Sequence, residues 1–230
     1  MHPVDLLAHL RRELAAFRAC LDGDLAAPVA HCAPWTLHDL AEHLGRSNQW
    51  ATAAVTEKHG DHQAPPAPRD PAALTRWFDR TSADLLHALD TDPAAEAWTF
   101  HPPRTVAFWQ RRRALEALIH RWDAEQALGR PHPLDPALAD EGVAEVLDTL
   151  APRQAARGRT HAPRTAIRLH ATDTGTTRTH GPGHPVAELS ATAEDLLLAL
   201  WKRIPLDAPA LTWDGDPAAG RALLTHPLTP

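Results

Sequence analysis

Glu116 and His120, in the segment Glu116-Ala117-Leu118-Ile119-His120, are four residues apart. On a helix that spacing puts a carboxylate and an imidazole one turn apart on the same face, where both reach a single ion. His43, within Leu40-Ala41-Glu42-His43-Leu44-Gly45, offers a second imidazole from a separate helical stretch. Two imidazoles and a carboxylate suit a borderline cation such as zinc, and three protein ligands leave a fourth position for water or a thiolate. An open position of that kind permits catalysis. The same spacing also describes a solvated side-chain pair on a helix surface. At about 100° per residue, Glu116 and His120 lie roughly a third of a turn from the apolar stripe Leu115, Leu118, Ile119 and Trp122. His43 is displaced likewise from Leu37, Leu40 and Leu44, beside Ser47 and Trp50. Spacing alone leaves both readings open.

The elements that must position these residues are legible as helices over the first 151 residues. Pro3 at a first-turn position opens a stretch with Leu6, Leu10, Leu14 and Phe17 at helical spacing. Thr36-Leu37-His38-Asp39 has the form of a capping box, and its helix continues to about Lys58. The prolines between His59 and Arg69 exclude regular structure there. Asp70-Pro71 starts a third helix, and a fourth runs from about Thr105 to Leu128 before Gly129. Four long helices predict a four-helix bundle. Asp135-Pro136 caps a fifth helix to about Leu150. Beyond Pro152 the period changes to two over Thr165 to Ala171, with a Thr174-Gly175 turn and a return strand Thr176 to His180. Val186 to Ser190, a helix Leu196 to Trp201, a strand Ala210 to Trp213 and a last helix after Asp216-Pro217 complete a small α+β region. The expected fold class is therefore a two-domain α+β protein, with a bundle over 1–152 and a small α+β domain over 164–230.

Composition bounds the chemistry. A net charge of −6, with no basic cluster larger than Arg111-Arg112-Arg113, leaves no electrostatic footprint for a nucleic-acid backbone. No apolar run approaches the roughly 20 residues of a membrane span, and the N-terminus does not read as a signal peptide, so a cytoplasmic location is expected. Cys20 and Cys32 lack C-x-x-C spacing, and each reads as a buried reduced thiol rather than part of a disulfide or zinc ribbon. Histidines such as His31, His62, His132 and His180 lack ligand spacing and are expected at the surface.

The segment Trp35-Thr36-Leu37-His38-Asp39-Leu40-Ala41-Glu42-His43-Leu44, with Glu116 through Glu125, resembles the mycothiol-dependent maleylpyruvate isomerase family. The resemblance extends to Ile167-x-Leu169-His170-Ala171-x-Asp173, to Asp195 through Arg203 and to Gly215-Asp216, and so covers nearly the whole chain. It implies a DinB-like bundle followed by a small α+β domain, with zinc held by His43, Glu116 and His120. It also implies mycothiol as the thiol and actinobacteria as the source. Lys202 stands where members of the family commonly carry a glycine.

In that reading zinc lowers the pKa of a low-molecular-weight thiol, and the thiolate adds to an anionic electrophilic substrate. Reversible addition to a cis double bond gives isomerisation; a persistent adduct gives S-transfer. Two further readings are a non-catalytic, metal-binding regulatory or interaction protein of the same fold, and a zinc hydrolase. Asp123, three residues beyond His120, is expected either to orient the imidazole ring or to pair with Arg121 or Arg130. Arg203 is expected to grip a substrate carboxylate as the second domain closes over the metal-bearing face, or else to serve as a helix C-terminal charge. Arg46, Arg76, Arg80 and Arg113 are further candidates for the same anion. The partners are small molecules, and the chain is expected as a monomer or dimer.

Overall fold

The computed structural model describes residues 5–230. Pro3, expected in the first helical turn, lies outside them; the cap is Asp5, whose carboxylate accepts the Ala8 N–H at 2.9 Å. Four helices build the first compact unit, which runs to His132: α1 (Leu6–Cys20), α2 (Leu37–Thr56), α3 (Pro71–Leu89) and α4 (Val106–Ala127). The expected caps form. Thr36 and Asp39 exchange side-chain and backbone hydrogen bonds at the start of α2, and Asp70 caps α3 ahead of Pro71. Among the described residues, no helix is long and apolar enough to cross a membrane.

α1 packs on α4 and α3, and α2 packs on α3 and α4. Leu10, Leu14, Leu40, Leu44, Leu74 and Leu85 are buried between them, each stabilising the fold by about 1.5–3 kcal/mol. Phe17 stacks on Phe78 with ring centroids 5.1 Å apart. Gly45 sets the spacing of α2 and α3, since a β-carbon there would collide with the Trp77 ring. Indole donors pin the loops: Trp50 Nε1 donates to Gly60 O at 2.9 Å, and Trp109 Nε1 to Trp98 O at 2.6 Å. α4 has no solvated side. Arg112, Arg113, His120, Arg121, Asp123 and Glu125 are all buried along it, so their charges must be answered internally.

The second unit runs from Pro133 to Pro230. It begins with α5 (Pro136–Glu145), continues through a wide π-type turn to Leu150 and ends its helical run in α6 (Ala151–Ala156). A four-stranded sheet follows, with β1 (Ala166–Ala171), β2 (Thr176–His180), β3 (Pro185–Ala191) and β4 (Thr212–Gly215) in the order β2-β1-β3-β4. β1 is antiparallel to β2 and parallel to β3, with Leu169 opposite Leu189; β4 returns antiparallel to β3. Ile167, Leu169, Ala171, Ala187, Leu189 and Ala191 are buried in alternation. α7 (Ala193–Leu200) packs on β1 and β3, and α8 (Pro217–Thr225) packs on β3.

The division after His132 falls earlier than the boundary expected between 152 and 164. α5 packs on α7, and its buried Asp140 forms a two-pronged ion pair with Arg178 of β2, with Nη2 to Oδ2 at 2.9 Å. A helix held by a strand of the sheet belongs with the sheet. His180, expected at the surface, is buried, and burial lowers its pKa.

α7 ends in a Schellman motif, in which Lys202 N–H donates to Ala199 O at 3.0 Å and Arg203 N–H to Leu198 O at 2.8 Å. Lys202 therefore occupies the left-handed region at φ 58. That conformation costs a side-chain-bearing residue about 1–2 kcal/mol. Lys202→Gly is expected to stabilise the protein by about 0.5–1 kcal/mol after the extra freedom of an unfolded glycine is deducted. Thermal melts check this. A lower Tm for the glycine variant would show that the Lys202 Nζ bond to Thr225 O matters more than the backbone.

Candidate metal centre

His43 sits on the second turn of α2, fixed by the capping box below it and by Gly45 against Trp77. Glu116 and His120 lie on one face of α4, as their spacing predicts. The three side chains converge, with one ligand atom from each within 4.8 Å of the others. His43 Nε2 is 3.1 Å from Glu116 Oε1, and the rings of His43 and His120 meet edge to face at 5.1 Å. In a tetrahedral zinc site with bonds of about 2.0 Å, two such donor atoms stand about 3.3 Å apart. The donor set and its spacing fit zinc. The His43 side chain is 35% exposed while His120 is buried, so the cluster opens on one side only.

The other oxygen of Glu116 is anchored. Arg113 Nη1 donates to Oε2 at 2.7 Å, and Arg112 donates to it from Nε at 3.3 Å and Nη2 at 3.2 Å. Burial alone would raise the Glu116 carboxyl; the two guanidiniums and the His43 hydrogen bond overrule it and hold the group well below the usual carboxylate range. Glu116 is thus ionised, with Oε1 turned toward His43 and His120. Arg113, expected only as one of several candidate anion-binding arginines, is a core residue. It also donates to Asn48 Oδ1 at 2.7 Å and to Leu44 O at 3.3 Å.

His120 Nδ1 donates to Asp123 Oδ2 at 3.1 Å, which leaves Nε2 as the ring's lone-pair nitrogen. Arg121 reaches Glu13 and Glu125, at 2.8 Å each. Cys32 donates to the same Asp123 oxygen at 3.6 Å and is half-buried rather than buried. Trp35 lies against the His43 ring at 5.0 Å. A cleft of about 350 Å³ adjoins His43 and is lined by Arg46, Ser47, Trp50, His62 and Gln63. In the second unit, Arg203 donates from Nη1 to Trp201 O at 2.9 Å and lies over the Trp201 ring at 5.7 Å.

Burial lowers the pKa of His120 against the opposing hydrogen bond to Asp123. The ring is neutral at pH 7. A depressed folded-state value means that this contribution to stability is complete above the ordinary value of 6.5 and is lost as the pH falls through the folded value. Metal-free protein is therefore expected to lose Tm as the pH drops below about 6.5, with a shallower loss in His120→Gln. Melts of both proteins at several pH values decide it; parallel slopes would assign the loss to another group.

The sequence matches the model of the mycothiol maleylpyruvate isomerase N-terminal domain over residues 7–125 and that of the corresponding C-terminal domain over residues 137–222. The chain belongs to the mycothiol maleylpyruvate isomerase family. An uncharacterised protein found in two strains of Mycobacterium tuberculosis is 28% identical over 157 residues, 64% of this chain and 80% of that one. Among solved structures, the mycothiol-dependent maleylpyruvate isomerase superposes with a TM-score of 0.68 at 14% identity, over 91% of this chain and 92% of its own. A histidine-to-alanine mutant of that isomerase gives 0.66 at 15% identity over the same shares. The fold of the isomerase family is thus shared across both units of the present chain.

Several side chains around the cluster had no sequence signal. Arg112 and Asn48 support Glu116 directly or through Arg113, and Cys32 reaches Asp123 from a residue 91 positions away. The spacing of Arg112 and Arg113, four and three residues before Glu116, is the signal that could have found the arginines.

Proposed function

We propose that the chain is a zinc-dependent, mycothiol-dependent enzyme of the cytoplasm that isomerises an anionic substrate of the maleylpyruvate type about an activated cis double bond. The observation that carries this reading is the convergence of His43, Glu116 and His120 on one point, within a bundle of the family whose name states that chemistry. Zinc held there would lower the pKa of a bound thiol so that the nucleophile exists at neutral pH.

The chain's own residues supply the rest. Arg112 and Arg113 keep Glu116 ionised and aimed, so no proton need leave it when a cation arrives. Asp123 holds His120 with Nε2 outward. The cleft beside His43 has the cation Arg46, the hydroxyl of Ser47 and the amide of Gln63 to receive the polar part of a thiol.

Two measurements test the reading. Metal analysis should find about one zinc per chain, and the cobalt-substituted protein should gain an intense thiolate charge-transfer band on adding mycothiol. Zinc without any spectral response to mycothiol would favour the regulatory reading. A product that retains the thiol would make the enzyme an S-transferase. Arg203 is proposed to bind the substrate carboxylate. Its replacement by alanine should cost roughly 2–4 kcal/mol, or on the order of 30-fold to 1000-fold in turnover, with zinc content unchanged. Full activity in that variant would remove Arg203 from the site.

A further inference from the structure

Asp123 faces two ways. One carboxylate oxygen takes hydrogen bonds from both His120 Nδ1, at 3.1 Å, and Cys32 Sγ, at 3.6 Å, and the ligand atoms of Cys32, His120 and Asp123 all lie within 4.8 Å of one another. For a tetrahedral ion with bonds of about 2.3 Å to sulfur and about 2.0 Å to nitrogen and oxygen, the sulfur-to-oxygen edge is about 3.5 Å and the nitrogen-to-oxygen edge about 3.3 Å. Both observed distances approximate these edges. We propose that Cys32, Asp123 and His120 Nδ1 form a second cation site, selective for thiophilic divalent ions such as cadmium or excess zinc, joined to the first through the two nitrogens of His120.

The donor set defines the selectivity. A thiolate with one imidazole and one carboxylate favours zinc and cadmium and disfavours magnesium and calcium, which take all-oxygen shells. Positioning is already in place. Cys32 ends a one-turn 3-10 helix (Ala30–Cys32), with its N–H donated to Val29 O at 2.9 Å and its carbonyl accepting the Trp35 N–H at 3.0 Å. His120 and Asp123 share a face of α4 at a spacing of three. Cys32 is half-buried and gives access, while His120 and Asp123 are buried behind it.

Binding exchanges protons and involves no redox change: the ion replaces the hydrogen on Cys32 Sγ and the hydrogen on His120 Nδ1, and both leave as solvated protons. Because the second loss leaves His120 bridging two ions as an imidazolate, this site fills after the first. Filling it removes the Asp123 hold that keeps Nε2 a neutral donor. The inference rests on the proposed zinc site only for its order of filling.

Cadmium titration of the metal-free full chain is the test. Wild type should take up two ions and develop an ultraviolet thiolate-to-cadmium charge-transfer band, while Cys32→Ser takes one and shows no band. Asp123→Asn should weaken the band, which guards against a Cys32 variant that folds poorly. Cys20→Ser should retain it, since Cys20 is buried and burial pushes its thiol pKa up. His43→Ala should lose the other equivalent and keep the band; if it keeps both equivalents, the first site fails and the second stands. A band that persists in Cys32→Ser, or a wild type that binds one ion with no band, overturns the proposal.

Discussion

Replacing His43 or His120 by alanine is expected to cut bound zinc from about one ion per chain to nearly none after dialysis. Each change leaves two donors on a site that needs three. The scale of the loss follows from a comparison with Asp123. Removing an outer partner such as Asp123 typically weakens metal affinity about 10–100-fold, and removing a donor atom exceeds that. Asp123→Asn should therefore retain zinc at saturating metal and lose it to a competing chelator, whereas the His43/Glu116/His120 site stays empty in both histidine variants under both conditions. Glu116→Gln should behave differently again. Its Oε1 remains, but the amide loses the charge that Arg112 and Arg113 now balance, so two buried cations face the site. Elemental analysis of the variants beside wild type gives the answer. Unchanged zinc in both histidine variants would remove these residues from the metal.

Much of this arrangement was legible in the chain because it depends on local chemistry. The caps at Thr36, Asp70 and Asp135 act within a turn, and each helix begins where its cap predicts. The Glu116–His120 spacing likewise survives into the fold unchanged. Three features were not legible, and each depends on distance in sequence. α5 joins the second unit through an ion pair from Asp140 to Arg178 on a strand, which no local pattern announces. Cys32 meets Asp123 only because a short 3-10 turn returns the chain to α4. The apolar stripe of α4 gave no sign that the helix is enclosed and its charges answered internally, so Arg113, which looked available to a ligand, is a core residue. A helix with charges all round reads as exposed until their partners on other helices are known.

Arg113→Met is expected to destabilise the metal-free protein by about 3–5 kcal/mol. Arg113 is 1% exposed and joins three helices: Nη1 reaches Glu116 on α4, and Nη2 reaches Asn48 and Leu44 on α2, where Asn48 Nδ2 in turn donates to Ser82 on α3. Methionine replaces most of the volume and none of the donors. What remains is a buried carboxylate that loses its shortest ion pair and an Asn48 oxygen that loses its donor at 2.7 Å, and each uncompensated group carries a desolvation cost. Arg113→Lys should recover only part, because one ammonium cannot serve both Glu116 and Asn48 with the fork that the guanidinium provides. Arg46→Met, on the exposed face of α2, should stay within about 0.5 kcal/mol. Zinc supplies the discriminating condition. A cation beside Glu116 Oε1 compensates the charge that Arg113 no longer balances, so the gap between Arg113→Met and wild type should narrow in zinc-loaded protein. Urea denaturation with and without zinc measures both gaps. An Arg113→Met variant as stable as wild type in chelator would show that Glu116 does not need this guanidinium to remain ionised in the core.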